Sequence, residues 1–184
     1  RSGKALYIGV SSYSANKTKE MIKILKSRGI KLLIHQPSYS LINRWIEKDL
    51  TKTLIKNGVG CIAFSPLAQG FLSNKYLKGI PKGTRVSENS SFSKDLITKN
   101  NLKIINNLNL IAKKRGQSLS QLALAWVLNN KAVTSALIGV RSVAQLKDNL
   151  AALNNLKFTK DELKKIDKNA KEGNINLWAP SSSY

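Results

Sequence analysis

The sequence predicts an α/β fold built on a parallel sheet, and three observations predict it. Short apolar runs alternate with segments of helical periodicity; the runs are apolar enough to be buried strands; each ends in small or polar residues. With 184 residues and a 42% hydrophobic composition, the chain suffices for one globular domain with a real core, or for one piece of a larger domain.

Ala5 to Val10 is an apolar run closed by Gly9-Val10-Ser11-Ser12, and reads as the first strand. Asn16 to Ser27 sets Met21, Ile22, Ile24 and Leu25 at helical spacing with lysines opposite, and Arg28-Gly29 closes this helix. Lys31 to His35 is a second strand, broken at Gln36-Pro37. Trp45 to Lys56 is a second helix whose Trp45, Ile46, Leu50, Leu54 and Ile55 share a face, ended by Asn57-Gly58.

Val59-Gly60-Cys61-Ile62-Ala63 then runs straight into Phe64, where Ser65 and Pro66 stop the strand because proline cannot donate to a sheet ladder. The loop from Ser65 to about Lys94 is rich in Ser, Gly and Pro and carries Lys75 and Arg85; loops of such length inside compact domains tend to be functional. Thr98 to Lys114 is a helix with Leu102, Ile105, Leu108 and Ala112 on its face, halted by Arg115-Gly116. Ser118, with Gln121 three residues on, caps a helix whose Leu122, Ala125, Trp126 and Leu128 are so apolar that it should lie against the sheet. Val133 to Ile138 is the fourth strand, Gly139-Val140-Arg141 turns into a helix from Ser142 to Leu150, and Thr159, with Glu162, caps a last helix to Lys171. The segment 173–184 reads as a polar tail.

Four strands alternating with helices imply parallel pairing with right-handed crossovers, which is half of an eight-stranded barrel. The chain opens at a strand without a methionine, and four parallel strands leave both sheet edges open, so the sequence reads as the back half of a larger unit.

Composition narrows the function classes. No run of about 18 apolar residues is present and no secretory apolar stretch follows Arg1-Ser2-Gly3-Lys4, so a membrane span is excluded and a cytoplasmic setting expected. Cys61 is the single cysteine, placed mid-strand as a small hydrophobe, which rules out an internal disulfide or a cysteine-based metal site. The formal charge of +21 invites a nucleic-acid reading, yet only six of the 31 basic residues are arginine and the lysines scatter over several helical faces without interleaved aromatics. That distribution argues against nucleic acid as the partner.

The strand ends carry the chemistry. Ser11 and Ser12, Gln36, Ser65 with Gln69, and Gly139 with Arg141 follow successive strands and would face one mouth of a barrel. Backbone N–H groups at the helix start behind Ser142 suit a phosphate, and Gln145, Asp148 and Asn149 share one side of that helix. Phe64 can stack on a flat ring, and Lys75 with Arg85 suits a dianionic phosphate. His35 beside Gln36 reads as structural, no tyrosine has a context that lowers its pKa, and neither a Gly-x-Gly-x-x-Gly fingerprint nor a Walker loop is present.

Taken together, Gly9-Val10-Ser11-Ser12-Tyr13, Gln36-Pro37-Ser38-Tyr39, Phe64-Ser65-Pro66-Leu67-Ala68-Gln69-Gly70, Gly79-Ile80-Pro81 and Leu137-Ile138-Gly139 through Gln145-Leu146 to Asn149 resemble the C-terminal half of an aldo-keto reductase over all of 1–184. Within that family the chain is similar to the branch of bacterial L-glyceraldehyde 3-phosphate reductases and potassium channel β subunits. The resemblance implies a (β/α)₈ TIM barrel, of which this chain supplies the second half, and reduction of a small aldehyde by hydride from NADPH. It also implies that Ser11, Ser12 and Gln36 hold the nicotinamide carboxamide and Phe64 stacks on the ring. Ser65, Pro66, Leu67, Ala68 and Gln69 would line the pyrophosphate, with Lys75 and Arg85 closing on the phosphates. Gly139, Arg141, Gln145, Asp148 and Asn149 would surround the adenosine and its 2′-phosphate, with Arg141 where relatives often have serine and Asp148 where glutamate is usual.

The family's catalytic tyrosine, lysine, aspartate and histidine belong to the front half of the barrel, and nothing here matches them. Alone, the chain is expected not to catalyse. The partners expected are an aldehyde substrate and either a missing N-terminal half or a second copy joined through the open sheet edges. The alternative reading is a non-catalytic half-barrel interaction protein or the remnant of a truncated gene.

Overall fold

The computed structural model of the chain describes residues 2–77 and 98–170. Arg85, Gly79-Ile80-Pro81, the rest of the loop from 78 to 97, and the polar tail 173–184 lie outside the described residues. The elements run β1 (Ile8–Ser11), α1 (Ala15–Lys26), β2 (Leu32–Gln36), α2 (Leu50–Asn57), β3 (Gly60–Phe64), α3 (Lys99–Lys114), α4 (Leu119–Asn129), β4 (Ser135–Leu137), α5 (Val143–Leu150) and α6 (Lys160–Asn169).

The sheet has the order β1-β2-β3-β4, and every pair is parallel. Right-handed crossovers in a sheet that only ever grows in one direction place all connecting helices on one face. Burial agrees: Leu32, His35, Cys61 and Ala63 are buried, and Ile8, Val10 and Ala136 pack on the core, so this face meets the helices. Gly9, Ser11, Ser135 and Leu137 are exposed and Ile34, Gln36, Gly60, Ile62 and Phe64 half-buried, so alternation gives the other face to these residues. This is the arrangement of one wall of a barrel, with helices on one face and the alternate strand side chains on the other. Gly9 is required at the register shift between β1 and β2, because a Cβ there would stand 3.1 Å from the Ile34 carbonyl oxygen.

Several elements differ from expectation. β1 starts at Ile8 rather than Ala5: its ladder begins where Ile8 meets Leu32, and Leu6 and Tyr7 stand 89% and 73% exposed. The helix expected over Trp45–Lys56 is broken into a short 3₁₀ turn (Trp45–Glu47) and α2, with Asp49 at φ −139° between them. Tertiary bonds hold that first turn: the Trp45 indole N–H donates to the Ser38 carbonyl at 2.8 Å, and Glu47 is gripped by Arg44 and Tyr39. Ile46, Leu50 and Leu54 are buried as expected, whereas Ile55 faces solvent. The loop after β3 is not loose at its start: it forms 3₁₀ turns at Ala68–Gly70 and Asn74–Tyr76 and buries Phe71, Leu72 and Tyr76. β4 is shorter than Val133–Ile138: its ladder with β3 covers Ser135, Ala136 and Leu137, while at Thr134 the side-chain hydroxyl takes the Cys61 N–H at 3.1 Å in place of a backbone carbonyl. α4 touches β4 but is also enclosed by α3 and α5, which explains why it is apolar on all sides rather than on one stripe.

The caps read from sequence are present. Ser118 with Gln121 and Thr159 with Glu162 form reciprocal capping boxes, and Gly58 ends α2 at φ 60°.

Arg115 does more than stop α3. Its side chain is only 3% exposed, and its Nη1 pairs with Glu162 at 2.8 Å. Nε donates to Gln117 at 2.8 Å, Nη2 donates to the carbonyls of Asn155 and Lys157 at 3.0 and 3.1 Å, and the guanidinium lies 3.8 Å from the Phe158 ring centre. One side chain therefore joins the α3–α4 connection, the 151–158 segment and α6. Partial burial alone would raise the Glu162 pKa, but the Thr159 N–H and Arg115 outweigh it and hold the carboxyl below its usual range.

Two outcomes follow for stability. Arg115→Ala strands a carboxylate and several carbonyls, and is expected to cost about 3–5 kcal/mol in urea denaturation, with Arg115→Lys restoring little because an ammonium lacks the planar fork. His35 is fully buried, its Nε2–H donates to the Tyr13 carbonyl at 3.0 Å, and desolvation lowers its pKa to about 4 against a backbone bond that raises it. Below the unfolded value of about 6.5 the unfolded chain takes up a proton that the folded chain refuses until pH about 4. Stability is therefore expected to fall between pH 6.5 and 4 by up to about 3 kcal/mol from this residue. Urea midpoints measured across that range should fall less steeply in His35→Gln.

Candidate functional site

Sequential parallel pairing brings the four strand ends to one edge of the sheet. Ser11 pairs with Gln36 in register, its hydroxyl donates to the Gln36 carbonyl at 2.9 Å, and the Ser12 N–H donates to the same oxygen at 3.1 Å. The pairing of β2 with β3 resumes past Pro37: Phe64 N–H donates to the Pro37 carbonyl at 2.9 Å, and Tyr39 N–H donates to the Phe64 carbonyl at 3.1 Å. On its other side Phe64 is in register with Leu137. Ser11, Gln36 and Phe64 thus occupy adjacent strands on the face turned away from the helices, and Gly139 and Arg141 follow soon after β4.

Backbone strain concentrates at the same rim. Among the described residues, the non-glycine positions with left-handed backbone are Ser12 (φ 56°), Ser65 (φ 53°), Ala68 (φ 46°) and Gln69 (φ 57°). All four follow a strand end. L-residues in that region cost on the order of 1 kcal/mol each, and such residues persist where the surroundings over-determine them, characteristically around ligands. The turn itself is tight: Ala68 N–H donates to the Ser65 carbonyl at 2.9 Å, Gly70 N–H to that of Leu67 at 2.9 Å, and the Ser73 hydroxyl to that of Gly70 at 2.6 Å. Pro66 is buried and Leu67 packs against the core, which anchors the turn from below. Within this turn Gln69 Oε1 is buried and accepts no hydrogen bond among the described residues. Lys75 is exposed one residue before Tyr76, whose ring is buried against Phe71 at 5.9 Å.

At the β4 end the groups are already engaged with one another. Gln145 Oε1 accepts the Arg141 N–H at 2.8 Å, and the Ser142 hydroxyl caps α5 by accepting the Gln145 N–H at 3.2 Å. Asp148 accepts from Gln121 Nε2 at 2.7 Å and from the Ser118 hydroxyl at 3.4 Å, which ties α5 to the start of α4; Asn149 is buried. Arg141 is exposed.

Beneath the rim is a network that the sequence reading missed. The loop from Pro37 to Asn43 is buried throughout. The Tyr39 hydroxyl donates to Glu47 Oε1 at 2.8 Å and accepts from Asn130 Nδ2 at 3.0 Å, and its ring lies 5.2 Å from Trp126. Arg44 forks onto Glu47 through Nε and Nη2 at 2.9–3.1 Å, and its Nη1 reaches Asp167 at 2.8 Å and the Ala170 carbonyl at 3.3 Å. The one signal available was Arg44 three residues before Glu47; Asn130 and Asp167 are too distant in sequence to be read together. Burial raises the Tyr39 pKa well above the usual phenol value despite the Asn130 bond, and pushes the Cys61 thiol up to about 12. Neither is poised to ionise.

Comparison of the sequence with known proteins points to a family. The family profile described as "Aldo/keto reductase family" matches residues 1–171. The chain is 49% identical to the L-glyceraldehyde 3-phosphate reductase of Escherichia coli K12, over 99% of its own length and 54% of that protein's. It is 37% identical to a putative voltage-gated potassium channel subunit beta of Schizosaccharomyces pombe, covering 90% of this chain and 50% of that one. With a probable voltage-gated potassium channel subunit beta of Oryza sativa subsp. japonica the identity is 32%, over 90% and 52% of the two chains. The chain spans about half the length of the curated relatives it matches. A one-directional parallel sheet with helices on one face is what a stretch of barrel wall requires, and with a profile match over nearly every residue the chain belongs to the aldo/keto reductase family.

Proposed function

We propose that this chain is the cofactor-holding half of an NADPH-dependent aldehyde reductase. The observation that carries the reading is that, among the described residues, left-handed non-glycine backbone occurs at Ser12, Ser65, Ala68 and Gln69, all at the rim where the strand ends meet. A backbone held in strain there is preorganised for a ligand that the fold alone does not explain. Gln69 Oε1 in the same turn is a buried acceptor that finds no donor among the described residues.

Residue by residue, NADPH fits as follows. Ser11, Ser12 and Gln36 take the carboxamide end, and Phe64 supplies the aromatic face for the ring. Ser65 to Gln69 wrap the pyrophosphate with Lys75, and Arg85 outside the described residues adds a second cation. Gly139, Arg141, Gln145, Asp148 and Asn149 form the adenosine side, where Asp148 must exchange its Gln121 bond for any contact with adenine. When bound, the dihydronicotinamide supplies hydride. The substrate class is a small aldehyde, with L-glyceraldehyde 3-phosphate the first candidate because the Escherichia coli relative carries that name.

The described residues bind and orient but do not deliver a proton at the rim. Tyr39 is committed to Glu47 and Asn130, and His35 is neutral and committed to Tyr13. The acid therefore comes from the half of the relatives' length that this chain does not span, and the chain alone is expected to bind without turnover.

Titration of NADPH fluorescence tests this. Saturable binding, tighter for NADPH than for NADH, is expected for the chain joined with a front half; absence of binding in that combination overturns the reading. Arg141→Ala should weaken NADPH by about tenfold and leave NADH nearly unchanged, as loss of one charge-assisted bond predicts. Gln69→Gly should raise stability by up to about 1 kcal/mol by relieving the left-handed strain while weakening NADPH binding, checked by thermal melts and titration together.

A further inference from the structure

Phe64 has both of its backbone groups held by one loop. Its N–H donates to the Pro37 carbonyl at 2.9 Å, its carbonyl accepts the Tyr39 N–H at 3.1 Å, and the next residue, Ser65, is left-handed at φ 53°. The place of Tyr39 therefore sets where β3 ends and where the strained turn begins. Tyr39 is 1% exposed, and a phenol buried so deeply is costly unless its hydroxyl is bonded. Here the hydroxyl is engaged on both sides: it donates to Glu47 Oε1 at 2.8 Å and accepts from Asn130 Nδ2 at 3.0 Å. Each partner is itself fixed. Arg44 grips Glu47 through Nε and Nη2 at 2.9–3.1 Å, and Asn130 Oδ1 accepts the Ala132 N–H at 3.0 Å on the approach to β4. Trp126 lies 5.2 Å from the Tyr39 ring, and the Arg44 guanidinium lies 4.9 Å from the Trp126 ring centre. A phenylalanine would fill the same space, so packing gives no reason for a hydroxyl with two dedicated partners.

We propose that Tyr39 is a positioning residue for the nicotinamide end of the site: its doubly bonded hydroxyl fixes the ring, the ring fixes the Tyr39 N–H, and that N–H holds the Phe64 carbonyl so that the Phe64 ring meets the cofactor squarely. Tyr39 acts through Phe64 and touches no reacting atom. Contacts between flat rings are specific in offset and tilt, so a Phe64 shifted by a fraction of its width loses affinity for the nicotinamide. The adenosine side is set separately. There the Arg141 N–H rests on Gln145 Oε1 at 2.8 Å and the Gln145 N–H on the Ser142 hydroxyl at 3.2 Å, within α5 and its cap. Loss of the Tyr39 hydroxyl is therefore felt at one end of the cofactor only. The assignment rests on the NADPH reading for what Phe64 faces, and on the hydrogen bonds alone for how Phe64 is held.

Tyr39→Phe keeps the ring and removes the hydroxyl, and calorimetric titration of the chain joined with a front half is the test. NADPH should bind about tenfold more weakly, whereas adenosine 2′,5′-bisphosphate, which carries the adenosine end without nicotinamide, should bind within about twofold of the unsubstituted protein. Glu47→Ala should reproduce that split. Glu47→Gln, which keeps an acceptor for the hydroxyl, should restore most of the NADPH affinity. Thr134→Val removes a hydroxyl bonded to the same strand at the Cys61 N–H, 3.1 Å away and at the far end of β3 from Phe64, and should change neither ligand. Thermal melts show that each variant is folded at the assay temperature. Hydrogen exchange without ligand gives a reading independent of NADPH, with exchange about tenfold faster at the Tyr39 and Phe64 N–H groups in Tyr39→Phe and unchanged at Cys61. Equal weakening of the two ligands, the same loss in Thr134→Val, no rescue by Glu47→Gln, or unaltered exchange at Tyr39 and Phe64 would each overturn the assignment. Failure of the unsubstituted protein to bind NADPH sinks the cofactor reading instead, and the exchange pattern then decides whether Tyr39 sets Phe64.

Discussion

The constraint on which everything else depends is that the parallel sheet grows in one direction only. Because each crossover is right-handed and each new strand is added on the same side of the last, the helices are forced onto one face, the strand ends onto one rim, and the edges apart. A reversal of strand order would have covered the second face and divided the rim. The absence of a reversal leaves the second face without helices among the described residues, and brings Ser11, Gln36, Phe64 and Leu137 toward one end of the sheet.

The rim and its support divide their tasks. Ser12, Ser65, Ala68 and Gln69 hold the strained backbone, while Tyr39, Arg44, Glu47 and Asn130 bond one another around the loop below. The two are joined through the main chain, since Tyr39 and Pro37 are the backbone partners of Phe64. Buried loops are uncommon because their peptide groups lose water, and this one persists because those groups find partners among the surrounding side and main chains. Arg115 performs a similar service on the outer layer, closing the 151–158 segment onto α6 with the donors of one guanidinium.

Much of this was legible in the sequence, for reasons that differ by element. Strand order, helix caps and the polar strand ends are local signals: Ser118 with Gln121, Gly58 after Asn57, and Pro66 after Phe64 each act within a few residues, and each is found as read. What sequence did not show depends on distance along the chain or on edges. The broken start of α2 follows from bonds to Ser38 and Tyr39, the shortened β1 from a neighbour that begins at Leu32, the late start of β4 from the Thr134 hydroxyl bonding Cys61, and the burial of Phe71 and Tyr76 from a core whose walls come from elsewhere. At the site, the strand-end residues Ser11, Gln36 and Phe64 were legible because alternation and strand termini are local. The engagement of Asp148 with Gln121 was not, because it joins two helices across a strand.

One contact couples the order of synthesis to the completion of the rim. Arg44 and Asp167 are 123 residues apart, yet they meet beneath the loop that braces Phe64. On the ribosome the first three strands emerge early and can pair, and the guanidinium can meet Glu47 and then the Trp126 ring 4.9 Å away, but Asp167 joins it only once α6 has been translated. Nascent chains arrested before that helix therefore carry a paired sheet whose brace lacks its α6 contact.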